Sequence, residues 1–96
     1  MTLGDTRLEH EVLEMFKAQT RDLLARLASR PGNAAELAHT LKGSARAIGA
    51  FEVGEAAYAL ESGLRERSSF EVAFRQLQVS VDEAFEAIDA HLTDPN

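Results

Sequence analysis

The 96-residue chain contains no cysteine, which removes disulfides and thiolate zinc sites and suits a reducing compartment. No apolar run approaches the roughly 20 residues of a membrane span. The first residues, Met1-Thr2-Leu3-Gly4-Asp5, lack the charged and apolar regions of a signal peptide. The expected location is therefore the cytoplasm, away from the membrane. Bases are scarce: ten Lys and Arg stand against sixteen Asp and Glu, a formal net charge of −6, which argues against nucleic acid as a general partner. Strand signals are nearly missing, since β-branched residues are few and no segment alternates. There is no Gly-rich nucleotide loop, so the chain has no ATP site of its own. Length allows one domain over 1–96, with a core large enough to fold but only marginally.

What remains is helical pattern, and it divides into four. Thr6 and Glu9 form a capping-box pair that opens a first helix running to about 29. Pro31-Gly32 breaks it. Asn33, with Glu36 three residues on, can cap a second helix that ends near Gly49. A third spans about 52–67, its apolar stripe made by Val53, Ala56, Ala57, Leu60 and Leu64. Ser68 or Ser69 caps the fourth, about 69–92, with the stripe Phe70, Phe74, Leu77, Val81, Phe85, Ile88 and Leu92. Short connections imply antiparallel neighbours, so the expected fold is an all-α, up-down-up-down four-helix bundle, expected to be a monomer. The first helix is broader than one seam requires. Val12, Phe16, Leu23 and Leu27 form its stripe, while Leu8 and Met15 widen it. Either the helix packs on two neighbours, or Leu8, Val12 and Met15 form an exposed apolar docking patch beside His39.

The densest information lies between Ala38 and Ala50. On a helix, Leu37, Leu41, Ser44 and Ile48 take one face, flanked by Ala34 and Ala45, and His39 takes the opposite one. Lys42, Gly43 and Arg46 share the face of His39 because residues three, four and seven apart stack along a helix. The imidazole is thus expected to be exposed beside two cations and a gap. Gly43 costs about 1 kcal/mol of helix propensity relative to alanine, which is understandable if another surface must approach the ring. Near neutral pH an exposed histidine is a nucleophile or proton carrier, and Lys42 and Arg46 would favour an anion placed on it.

The run His39-Thr40-Leu41-Lys42-Gly43-Ser44-Ala45, followed by Ile48-Gly49-Ala50, resembles the signature of histidine phosphotransfer domains of two-component phosphorelays. Val53, Ala56, Ala57, Leu60 and Glu61 fall where that family places the apolar face of its next helix and a closing Leu-Glu pair. Ala56 and Ala57 are smaller than the family's usual residues there, a difference of packing. The resemblance implies a relay in which His39 accepts a phosphoryl group, through the ring nitrogen distal to the backbone, from the phospho-aspartate of a receiver domain and passes it to another receiver. Response-regulator receivers, with a hybrid sensor histidine kinase upstream, would be its partners. The receiver would bring Mg²⁺, so no cofactor or metal is expected here, and the domain is a covalent carrier. Within this reading Lys42 is the stronger candidate for phosphate or partner contact, Arg46 the weaker.

Other readings compete. Glu36-Leu37-Ala38-His39 is a Glu-x-x-His sequence, but di-iron bundles use two of these, with further glutamates, all projecting inward. The dimerising phosphoacceptor segment of a sensor kinase would carry an acid where Thr40 stands. The phosphoacceptor domain of a chemotaxis-type kinase has a similar motif and stays open, as does an interaction module of the same fold in which His39 is unused. His10 and His91 are read as structural or solvated, Ser44 as a small seam residue, and Gly49 as a helix C-terminal glycine.

Overall fold

The computed structural model describes residues 6–67 and 69–93. Among them the chain forms four helices and no strand: α1 (Thr6–Ala28), α2 (Ala34–Ala47), α3 (Phe51–Arg65) and α4 (Phe70–Thr93). The expected boundaries lie within about three residues of these. Thr6 is already helical, and its side chain, half of the expected capping box, lies outside the described residues, as does Ser68. Ser69 does cap α4, its hydroxyl accepting from Val72 N–H at 3.5 Å. Asn33 takes the N-cap position of α2 without a side-chain cap bond. The Ala34 N–H is satisfied by Pro31 O at 3.1 Å, and Leu37 N–H to Asn33 O at 3.1 Å is the first bond of the helix itself.

Gly49 ends α2 as its position suggests. It is left-handed at φ +85, Ala50 N–H reaches back to Ala45 O at 2.8 Å, and Gly49 N–H to Arg46 O at 3.2 Å. These paired bonds are a Schellman closure, and only glycine takes this φ without strain from a Cβ.

Each helix touches two others: α2 packs on α1 and α3, α3 on α4, and α4 returns to α1. The shared core is made by Phe16, Leu23, Leu27, Leu37, Leu41, Val53, Leu60, Leu77 and Val81 with small residues Ala34, Ala38, Ala45 and Ala57 between them. The expected stripes supply most of it, with three adjustments, the first being that Val12 of the α1 stripe is exposed. Ile48, at the C-cap, is only half-buried, while Ala38 is fully covered. In α4 only Leu77 and Val81 are buried, because α1 and α4 are much longer than α2 and α3. The molecule is elongated as a result, 45 × 22 × 19 Å. Along the long pair, Glu9 meets His91 and Arg30 meets Glu71, and a largely buried Lys17 pairs with Asp89.

Candidate functional site

Leu37, Ala38 and Leu41 turn one side of α2 into the core, and the same periodicity turns His39 outward, its side chain 63% exposed. The ring is nevertheless held. Nδ1 lies 3.0 Å from Oε2 of Glu61, a carboxylate on α3 that is only 4% exposed. Arg65, one turn further along α3, donates to the same oxygen at 2.8 Å. The Lys42 ammonium stands 3.0 Å from the other oxygen, Oε1. At that distance the opposite charges form an ion pair. Lys42 also lies over the Tyr58 ring, 5.2 Å from its centroid.

These contacts fix the ionisation of Glu61. Lys42 is the largest influence and, with His39, holds the carboxyl below the ordinary value of 4.5, against the opposing effect of burial. An ionised carboxylate can only accept, so the Nδ1 facing it carries the proton. In the neutral ring the lone pair is then on Nε2, at the open edge. Chemically, the arrangement is an oriented, exposed nitrogen nucleophile backed by a buried negative charge.

The remaining face residues divide by occupation. A Cβ on Gly43 would meet nothing within 4 Å, so the bundle itself does not require glycine there. Lys42, the stronger candidate for phosphate or partner contact, is turned down onto Glu61 with its side chain 15% exposed. Arg46 is exposed, and among the described residues it has no carboxylate partner. Ser44 lies in the seam between α1 and α2, its hydroxyl donating to Gln19 Oε1 at 3.3 Å. Glu36 is exposed, and the carboxylate that meets His39 comes from α3, not from the Glu-x-x-His sequence. Among the described residues no three His, Cys, Asp or Glu gather as a metal site, and no helix is long and apolar enough to cross a membrane.

The family model of the Hpt domain matches residues 11–92. The chain belongs to the Hpt domain family. No curated protein and no solved structure matches it. Hpt domains serve histidine phosphotransfer in phosphorelays and engage the receiver domains and kinases of two-component systems.

In this Hpt domain the apolar residues of α1 occupy a different place from the one expected. Leu8, Val12 and Met15 are 45%, 44% and 70% exposed, so they are indeed a surface patch. By ideal helix rise they are displaced along α1 from the level of His39. Measured from the turn that α1 and α2 share, Met15 and His39 differ by about eight residues, or about 12 Å along the axis, and Leu8 by about 22 Å. Conversely, Glu61 meets the histidine, Arg65 meets Glu61 and Tyr58 meets Lys42, none of them having been singled out as site residues. Glu61 did carry a signal, since it interrupts the apolar stripe of Ala57, Leu60 and Leu64 with a charge, and a charge in a buried stripe requires a partner.

Proposed function

We propose that His39 is the phosphoacceptor of this Hpt domain, taking a phosphoryl group from a receiver's phospho-aspartate and giving it to the aspartate of a second receiver. The observation that supports this most is the exposed ring tethered through Nδ1 to the buried, ionised Glu61. The Nε2 lone pair forms the new N–P bond while the P–O bond to aspartate breaks, and its electron pair leaves with the aspartate carboxylate. The ring is then substituted at Nε2 and still protonated at Nδ1, so it is cationic. Glu61 stabilises that charge and keeps the tautomer, as the buried aspartate of a catalytic triad does for its imidazole. The same positive charge makes the ring a competent leaving group, as a carrier requires. In-line transfer depends on positioning and on charge neutralisation at phosphorus, and the receiver supplies the groups for the latter.

We also infer the up-down-up-down arrangement, because Glu9–His91 and Arg30–Glu71 join opposite ends of α1 and α4, while His39–Glu61 and the seating of Arg46 on Gly54 do the same for α2 and α3. A monomer working in the cytoplasm is the corresponding cellular picture. Incubation with a panel of phosphorylated receivers tests the chemistry. Label should pass to the chain, be lost in acid, and disappear in His39→Gln with helical content and melting unchanged. Acid-stable label, or label retained in His39→Gln, points to another acceptor and overturns the reading.

A further inference from the structure

Gly54 is buried in α3, and unlike Gly43 it faces something. A Cβ built there would come within 3.1 Å of Arg46 Cγ and 3.7 Å of Arg46 Nε, while the nearest backbone atom, Lys42 O, would stand at an ordinary 3.7 Å. The bare α-carbon is therefore fitted to the Arg46 side chain, not to the approach of α2 and α3. The aliphatic stem of arginine commonly lies along a neighbouring surface while the guanidinium stays in water. Here the stem crosses onto α3 at Gly54, on the face that carries His39.

Lys42 and Arg65 on the same face both contact Glu61. Arg46 alone of these three cations has no carboxylate within ion-pair distance among the described residues. The chain as a whole carries −6 and would repel an anionic partner. A fixed, unneutralised guanidinium beside the acceptor face counters that repulsion locally and adds direction, since its planar fork binds carboxylate or phosphate in two bonds.

We propose that Gly54 is a positioning residue that seats Arg46, and that the seated guanidinium is the contact through which this domain reads an acidic group on the rim of a docking receiver. This rests on the relay reading above and adds the determinant of partner selection. Charges at an interface rim act mainly on association and on its salt dependence, and little on the bound complex.

The test measures KM and kcat for transfer from a phosphorylated receiver that labels the unaltered chain. Arg46→Ala should raise KM about threefold to tenfold with kcat nearly constant, and flatten the dependence of KM on salt, as expected when a steering charge is removed. Arg46→Lys should recover only part of the loss. Gly54→Ala should raise KM in the same direction while leaving the melting temperature unchanged or higher, because alanine favours the helix. In the Arg46→Ala background Gly54→Ala should have no further effect, the signature of a residue that acts through another. A lowered melting temperature with unchanged KM in Gly54→Ala, or additive effects in the double variant, overturns the seat. Unchanged KM in Arg46→Ala overturns the contact while leaving His39 labelling intact. If no receiver labels the unaltered chain, the relay reading itself falls, and this inference with it.

Discussion

Glu61 is a carboxylate almost out of water, and what sustains it there is three basic side chains from two helices. Removing its charge leaves Lys42 largely covered and without a counterion, and such unpaired groups cost about 1.5–3 kcal/mol. Glu61→Gln should lower unfolding stability at pH 7 by about that amount, measured by urea denaturation. The acid limb gives an independent check. Because the folded-state value is depressed below 4.5, the stabilisation from Glu61 is fully present above that pH and is lost as pH falls through the folded value. Wild type should therefore lose stability more steeply below about pH 4.5 than Glu61→Gln does. Phosphotransfer should also slow in the variant, since the ring loses both its tautomer control and its counter-charge. The two residues of this pair were unequally legible. Helical phase turns His39 outward from neighbouring leucines alone, whereas Glu61 is distant in sequence and becomes a site residue only when α3 packs on α2. Lys42 shows the limit of phase: the face was right, but a flexible stem carried the ammonium down to the buried carboxylate.

At the scale of the element, two glycines of one helical segment have opposite physics. Gly43 is in open space in mid-helix, and Gly49 is left-handed at the end. Gly43→Ala should gain up to about 1 kcal/mol from helix propensity, and Gly49→Ala should lose about 1–2 kcal/mol because an L side chain is strained at φ +85. Thermal melts of the two variants decide it, and equal signs would contradict the geometry. Bulk at position 43 separates function from folding. Gly43→Glu and Gly43→Gln should fold at least as well as wild type, and both should impede transfer from a receiver, the glutamate more because it also repels the phosphoryl group. Transfer that is normal in both would mean that nothing descends on this side of His39. The glycine stop was legible because φ > 0 has few residue solutions. Of the N-terminal caps, Ser69 was legible and Asn33 was not, since at φ −99 and ψ 27 its backbone is not in the extended conformation from which a capping side chain bonds the first turn.

For the whole molecule, the unequal helix lengths matter most. Each helix was recognisable from its own stripe, but how far one outruns its neighbour depends on register, which no single stripe encodes. The consequence is an apolar run along α1 in which Leu8 and Val12 lie beyond the span of the shorter α2 and Met15 is level with its last turn. A receiver centred on His39 and covering a standard half-interface of about 800 Å² occupies a disc of about 16 Å radius. Met15, about 12 Å away along the axis, falls within its rim, whereas Leu8, about 22 Å away, falls outside. A graded response follows. Met15→Gln should raise KM for transfer modestly, by about twofold to threefold, as rim contacts do when truncated, and Leu8→Gln should leave KM and kcat unchanged. Both should keep wild-type melting within a degree or two, because neither side chain is in the core. If Leu8→Gln weakened transfer as much as Met15→Gln, the footprint would have to run the length of α1, and the receiver would be centred on the α1 patch with His39 at its edge. If instead both variants transferred normally but abolished a concentration-dependent dimer seen by sedimentation, the patch would belong to a second copy of the chain and the monomeric picture would fail.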